Sequence, residues 1–397
     1  SSHRGHDRSQ QPSFGEGKPS NASPRSSENF GDYLSHRKTA PPPVVQRKCK
    51  QEGHNMRKSR LTFAASLLAA TALTLTACGG SDDVDSAETA AESAGDEAVE
   101  GKDSYEVYAL LPQGNDQPYG TTYLPPMEAM ANELGINLTI TNSEYDADKQ
   151  ASECEVAVAA QPDGIILWPA VGDAVAPCLS AADAAGIPVW VTNSDVFDED
   201  KPLTRGYSGP DTYGQGAASA EIMCDLVDGK DVGIIQINGL TGNATAINRD
   251  EGFTDTIAAN CPNVSILAEQ PGNWNKDESQ IAASEMLTAV GIDNVQGIYA
   301  ADDTMVAGAI DALIAQGKDP KDYVITSIGN TFLGNPLVVD GSLDGTIFQS
   351  SSWDGANAVV GIYEAMTTEP GERVTLFMPQ AKVTADNATD PSVAPEW

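Results

Sequence analysis

Short apolar runs recur from Tyr105 onward, spaced so that a helix fits between one and the next. They cover residues 105–111, 136–141, 164–168, 187–192, 232–237, 264–268, 297–300, 323–328 and 345–348. Between most of them lie stretches rich in Ala, Leu and Met, at 124–134, 151–160, 174–185, 217–227 and 304–315. Strands alternating with helices of this length predict βαβ units and parallel sheets. Gly135, Gly186-Ile187-Pro188, Gly229 and Gly317 punctuate the junctions as helix stops and turns. About nine strands are too many for one small doubly wound sheet, so the expected fold is α/β with two doubly wound parallel-sheet lobes.

In such sheets ligands sit beyond the carboxyl ends of the strands. The loops there are polar. They read Gly114-Asn115-Asp116-Gln117-Pro118-Tyr119, Asn193-Ser194-Asp195, Asn238-Gly239-Leu240-Thr241-Gly242-Asn243, Ala301-Asp302-Asp303-Thr304, Gly329-Asn330-Thr331 and Gln349-Ser350-Ser351-Ser352-Trp353. Helix capping accounts for about half of these residues, since Asn, Asp and Ser satisfy free N–H groups at helix starts. It does not explain the aromatics that recur nearby, at Tyr119, Trp168, Trp274 and Trp353. Planar amides and carboxylates engage neighbouring hydroxyls in pairs, and aromatic faces cover the C–H faces of a sugar. The rim suits a small neutral carbohydrate or polyol.

Charge and composition narrow the function further. The 397 residues hold 23 Lys+Arg and 57 Asp+Glu. From Cys78 onward 11 basic residues face 52 acidic ones, a net charge of −41. Such a body repels phosphate backbones, so nucleic acid is not an expected partner. All four histidines (His3, His6, His36, His54) precede Met56, which removes His-dependent hydrolase mechanisms and imidazole metal sites from the body. The acidic run Asp195-Val196-Phe197-Asp198-Glu199-Asp200 lacks the glycine and ligand spacing of a calcium loop and reads as a surface loop. No metal or cofactor is expected.

The first hundred residues read as an address. Residues 1–55 are polar and without apolar periodicity, a leader that is either disordered or not translated, with Met56 as the start. Arg57-Lys58-Ser59-Arg60 and the low-charge run to Ala77 make 56–77 a secretory signal. It ends in Leu75-Thr76-Ala77-Cys78, which resembles a bacterial lipobox with Cys78 as the acylated residue; an uncleaved membrane anchor is the alternative. Residues 78–104 would then form the lipidated cysteine and an acidic tether on the outer face of the cell membrane. Cys154, Cys178, Cys224 and Cys261 suit that oxidising compartment and have no C-x-x-C spacing. Of three possible pairings, Cys154–Cys178 with Cys224–Cys261 keeps each bond within one lobe; four buried free thiols are the alternative.

The segment Asn248-Arg249-Asp250-Glu251-Gly252-Phe253 resembles the R-x-x-G-F box of the type I periplasmic sugar-binding proteins of ABC transporters, the ribose-binding-like branch. The resemblance spans about residues 105–385. Arg249 and Phe253 are i and i+4 on one helix face, so the phenylalanine can pack while the arginine points toward a cleft. The resemblance implies ligand roles for Arg249, Asp302, Gln349, Trp274 and the Pro118-Tyr119 pair. It also implies lobes at 105–209 plus 350–369 and at 210–349 plus 370–397, joined by a three-crossing hinge, with delivery of the ligand to an ABC permease by a monomer. The sequence departs from the family at Asn193-Ser194-Asp195, at Gly329-Asn330 and at Gly120. Ligand-contacting places are involved, which leaves a different pentose, a deoxysugar or a sugar alcohol open. The candidate ligand residues are therefore Asp116, Tyr119, Trp168, Asn193, Ser194, Asp195, Asn243, Arg249, Trp274, Asp302, Asn330 and Gln349. A sugar-sensing receptor docked on a signalling protein uses the same features, and a glycosidase needs only two spaced carboxylates. No catalytic motif is present. A transcriptional regulator of the same superfamily would need a basic DNA-binding unit where the lipobox stands.

Overall fold

The strand runs pair in parallel, as the alternation requires. The structure, a computed structural model, describes residues 102–397. The leader 1–55, the signal 56–77, Cys78 and the tether up to 101 lie outside the described residues. In the first sheet β1 (Tyr105–Leu111) lies between β2 (Ile136–Asn142) and β3 (Gly164–Leu167), and β4 (Val189–Thr192) and β5 (Gly206–Gly209) continue beyond β3. In the second, β6 (Val232–Asn238) lies between β7 (Val264–Pro271) and β8 (Gly297–Ala300), followed by β9 (Val324–Thr326) and β10 (Gly345–Ile347). β11 (Val374–Phe377) then adds a parallel edge to β5, and β12 (Lys382–Thr384) an antiparallel edge to β10. Strands β3, β4 and β8 are buried at every residue, as expected of parallel strands covered on both faces.

Helices cover those faces. In the first lobe α1 (Pro118–Glu133), α2 (Ala147–Ala160) and α3 (Gly172–Ala184) follow β1, β2 and β3. Ile166 packs on the side that includes Tyr123 and Met127 of α1, while Ile165 and Leu167 pack with Cys154 and Cys178 of α2 and α3. That is the two-residue period of a strand dividing its side chains between two layers. In the second lobe come α4 (Thr212–Val227), α5 (Ala244–Asn260), α6 (Lys276–Val290), α7 (Asp303–Ala315) and α8 (Gly334–Asp340), before α9 (Ser351–Thr367) returns to pack on α1. The structure contains the disulfides Cys154–Cys178 and Cys224–Cys261, with Cα atoms 5.8 and 5.5 Å apart. Each joins neighbouring segments within one lobe.

Some elements differ from the sequence reading. β4 starts at Val189, because Pro188 has no N–H for a ladder. α1 starts at Pro118 rather than 124, proline being well suited to a helix's first turn, so Tyr119 is helical. The assignment of all of 370–397 to the second lobe is corrected: residues 374–377 complete the first sheet. The third crossing therefore follows β11, where Met378 N–H bonds Gly209 C=O (2.8 Å) and Phe348 N–H bonds Ala381 C=O (2.8 Å).

Two glycines set how closely α4 and α5 approach. A Cβ on Gly216 would lie 2.1 Å from the carbonyl oxygen of Arg249, and one on Gly252 would lie 2.1 Å from that of Tyr213. The helices thus touch backbone to backbone. Phe253, one residue on, is fully buried and stacks on Tyr299 with ring centroids 3.8 Å apart. The glycine and phenylalanine of the Arg249 box are accordingly packing residues that seat the arginine. Gly216→Ala or Gly252→Ala is expected to destabilise the fold by about 1–3 kcal/mol through overpacking. Thermal denaturation checks this, and an unchanged melting temperature would show that the helices separate freely.

Candidate functional site

The carboxyl ends of both sheets face a common cleft holding a cavity of about 60 Å³, room for on the order of five waters or one small polyol. Gln113 and Tyr119 enter it after β1, Tyr145 after β2, Trp168 after β3 and Asn193 after β4. From the second lobe come Asn243, Thr245 and Arg249 after β6, Trp274 after β7, Asp302 after β8 and Gln349 after β10; Trp397 closes one side. Tyr145, Asn193 and Trp274 have φ near +60°, a left-handed conformation that costs bulky residues energy and clusters at binding sites.

Arg249 is 4% exposed, and its guanidinium is satisfied by neutral acceptors. Nε–H and an Nη2–H donate to Gln215 Oε1 (3.0 and 2.7 Å), a second Nη2–H to Gln349 Oε1 (2.7 Å) and Nη1–H to Ala301 C=O (2.8 Å). Trp274 lies 5.8 Å from the guanidinium carbon, within cation–π reach. Gln349 Nε2 donates to the Tyr119 hydroxyl (3.2 Å), which donates to Asp354 (2.7 Å). Asp354 also accepts from Thr192 (3.0 Å) and Asn193 Nδ2 (2.8 Å). A relay of hydrogen bonds thus runs from the first lobe through Gln349, where the chain passes between the lobes, to the arginine of the second.

Asp302 caps α7 by accepting from Met305 N–H (2.7 Å) while its carboxyl faces the cavity, where burial raises its pKa to about 7. Burial raises Asp354 to about 7 as well, against the pull of its donors. Asn243 caps α5 and donates across the cleft to Ala170 C=O (2.9 Å), and Gly172 N–H bonds Gly242 C=O (3.2 Å). The lobes meet at these points. Gln113 Oε1 and Thr245 Oγ1 are buried without a partner, the condition that a bound hydroxyl would relieve.

Eight of the twelve residues expected from sequence line the cavity: Tyr119, Trp168, Asn193, Asn243, Arg249, Trp274, Asp302 and Gln349. Four do not, and are corrected. Asp116 is exposed and accepts from Asn142 Nδ2 (3.1 Å) and Gly114 N–H (3.2 Å), closing a local turn. Ser194 is buried away from the cavity wall. Asp195 pairs with Arg373 and bonds the amide of Val196. Asn330 lies inside the second lobe, bonded to Val393 and Asn335 (3.0 Å). Sequence reasoning missed Gln113, Tyr145, Thr245 and Trp397. The first two follow strand ends like the other rim residues and were open to the same argument; Trp397 had no local signal.

Residues 108–370, more than half of the chain, match the periplasmic binding protein domain, and the chain belongs to that family. It is similar to a xylitol-binding protein of Mycolicibacterium smegmatis, at 26% identity over 82% of this chain and 85% of that protein. The ribose import binding protein of Escherichia coli is 27% identical over 68% of this chain and 87% of its own. A solute-binding protein of an ABC transporter from Bacillus halodurans, solved with bound myo-inositol, has the same fold: TM-score 0.66 at 21% identity, covering 72% of this chain and 97% of that one. The family consists of binding proteins, not enzymes.

Two of the buried carboxyls, Asp302 and Asp354, give a testable pH dependence. Their folded pKa values lie above the unfolded value, so between about pH 4 and 7 the native state binds more protons than the unfolded chain, and stability falls as pH rises. The melting temperature is expected to be higher at pH 5 than at pH 8. Joint Asp302→Asn and Asp354→Asn substitution should shrink that difference, separating it from the general repulsion of an acidic surface. A difference unchanged by the pair would contradict the assignment.

Proposed function

We propose that the chain captures one small neutral sugar or sugar alcohol in the interlobe cavity and delivers it to the permease of an ABC importer. The observation that carries this reading is the cavity itself, in which a buried arginine and side-chain amides stand among tryptophans. Arg249 and Asp302 both face the space, and hydroxyls suit both because they can donate to a carboxyl and accept from a guanidinium. Arg249 has five N–H groups, four of them engaged; the fifth, with Gln113 Oε1 and Thr245 Oγ1, offers partners to a polyol. Trp168 and Trp274 supply apolar faces for its C–H groups. The ligand-contacting set is Tyr119, Trp168, Asn193, Asn243, Arg249, Trp274, Asp302 and Gln349, joined by Gln113, Tyr145 and Thr245. A ligand that touches both lobes at once favours their closed arrangement.

The names of the relatives support the carbohydrate class, and the family supports a place outside the cytoplasm. The segment ending at Cys78 supports anchoring of the chain by a lipid on that cysteine. Cys78→Ser is expected to move the chain from the membrane pellet to the soluble fraction of expressing cells, and equal pelleting of both forms would count against the anchor.

The main test is a thermal-shift screen of the full chain against pentoses, hexoses, polyols and amino acids. A ligand at about one hundred times its Kd stabilises by about 2.7 kcal/mol. A shift with a sugar or polyol is expected, lost in Arg249→Ala and weakened about tenfold in affinity in Thr245→Val. A shift with an amino acid alone, and none with any carbohydrate, would overturn the reading.

A further inference from the structure

Residues 393–397 cross from one lobe to the other beside the hinge. Val393 is buried in the core of the second lobe, where its carbonyl accepts from Asn330 Nδ2. Four residues later Trp397 packs on the core of the first lobe, with its ring centroid 4.8 Å from that of Tyr119 at an interplanar angle of 77°. Between them the Glu396 carboxylate accepts from Ser350 Oγ (2.9 and 3.0 Å) and from Ser352 N–H (2.9 Å). It thus sits in the first turn of α9, where unpaired N–H groups and the helix dipole favour negative charge.

These contacts hold the last aromatic in place. The indole N–H of Trp397 donates to Gln349 C=O (3.1 Å), its backbone carbonyl accepts from Phe332 N–H, and its ring forms part of the cavity wall with Tyr119 and Trp168. The polar edge of the indole is therefore spent on the hinge, which leaves the apolar ring for the cavity.

We propose that residues 393–397 are a strap across the hinge and that Trp397 is a ligand-contacting residue, its ring covering one face of the bound polyol. The inference rests on the carbohydrate reading of the cavity and adds a specificity determinant to it. The ring of Trp397 walls one side of the cavity that the second-lobe residues Arg249 and Trp274 also line.

Calorimetric titration of the full chain with ribose, xylitol and myo-inositol tests this, comparing wild type with Trp397→Ala, Trp397→Phe, Glu396→Gln and Arg249→Ala. For whichever probe binds wild type, Trp397→Ala should weaken affinity about tenfold or more, and Trp397→Phe should restore it to within about threefold, because a flat ring is kept. Glu396→Gln should weaken binding about threefold to tenfold by loosening the strap. A merely structural tryptophan would lower the melting temperature of both Trp397 variants and leave the affinity where it was. If Trp397→Ala fails to fold, the Phe and Gln variants carry the test: wild-type affinity in Glu396→Gln contradicts the strap. Wild-type binding lost in Arg249→Ala but unchanged in Trp397→Ala overturns the strap alone. A wild type that binds none of the three probes, nor any other carbohydrate of the thermal-shift screen, overturns the strap together with the reading beneath it.

Discussion

The burial of the Arg249 guanidinium is the constraint on which the site depends. A charge removed from water costs several kcal/mol unless nearly every N–H finds an acceptor. Among the described residues Arg249 is in no ion pair, so neutral oxygens must do this. They come from Gln215 on α4, Gln349 at the hinge and Ala301 at the end of β8. The glycine contacts between α4 and α5 are what bring Gln215 within reach, since any side chain at Gly216 or Gly252 would push the helices apart. The packing of α4 on α5 thus brings the arginine and its Gln215 acceptor together.

The same network explains how a ligand could bias the two lobes. Gln349 bonds Arg249 on one side and Tyr119 on the other, and Tyr119 is held by the buried Asp354. Opening at the hinge would strain this relay and break the direct contacts of Asn243 and Gly242 with residues 170–172. These direct bonds between the lobes are few, so a ligand that touched both lobes would favour the arrangement in which they meet.

Much of this was legible in the sequence because strand periodicity and turn residues are local signals. The run 105–111 coincides with β1, and the polar rim fell at strand ends where parallel sheets place their sites. The losses have physical causes. β5 reads Gly-Tyr-Ser-Gly, which has no apolar run, and is a strand because its neighbours bury it. β11 lies far along the chain from the sheet it completes. Asp116, Asp195 and Asn330 are polar residues at the expected places, but a turn, an ion pair and interior hydrogen bonds consume them. Sequence cannot separate a carboxylate that caps a helix from one that faces a cavity, and Asp302 does both. Trp397 reaches the cleft through tertiary contacts alone.

The most direct measurement is a crystal structure of the chain with whichever carbohydrate or polyol raises its melting temperature. Density for a single small polyol is expected within the cavity, in contact with Arg249 and with Trp168 and Trp274 on its apolar faces. Density for that ligand outside the interlobe cleft, with the cavity unchanged, would contradict the central claim.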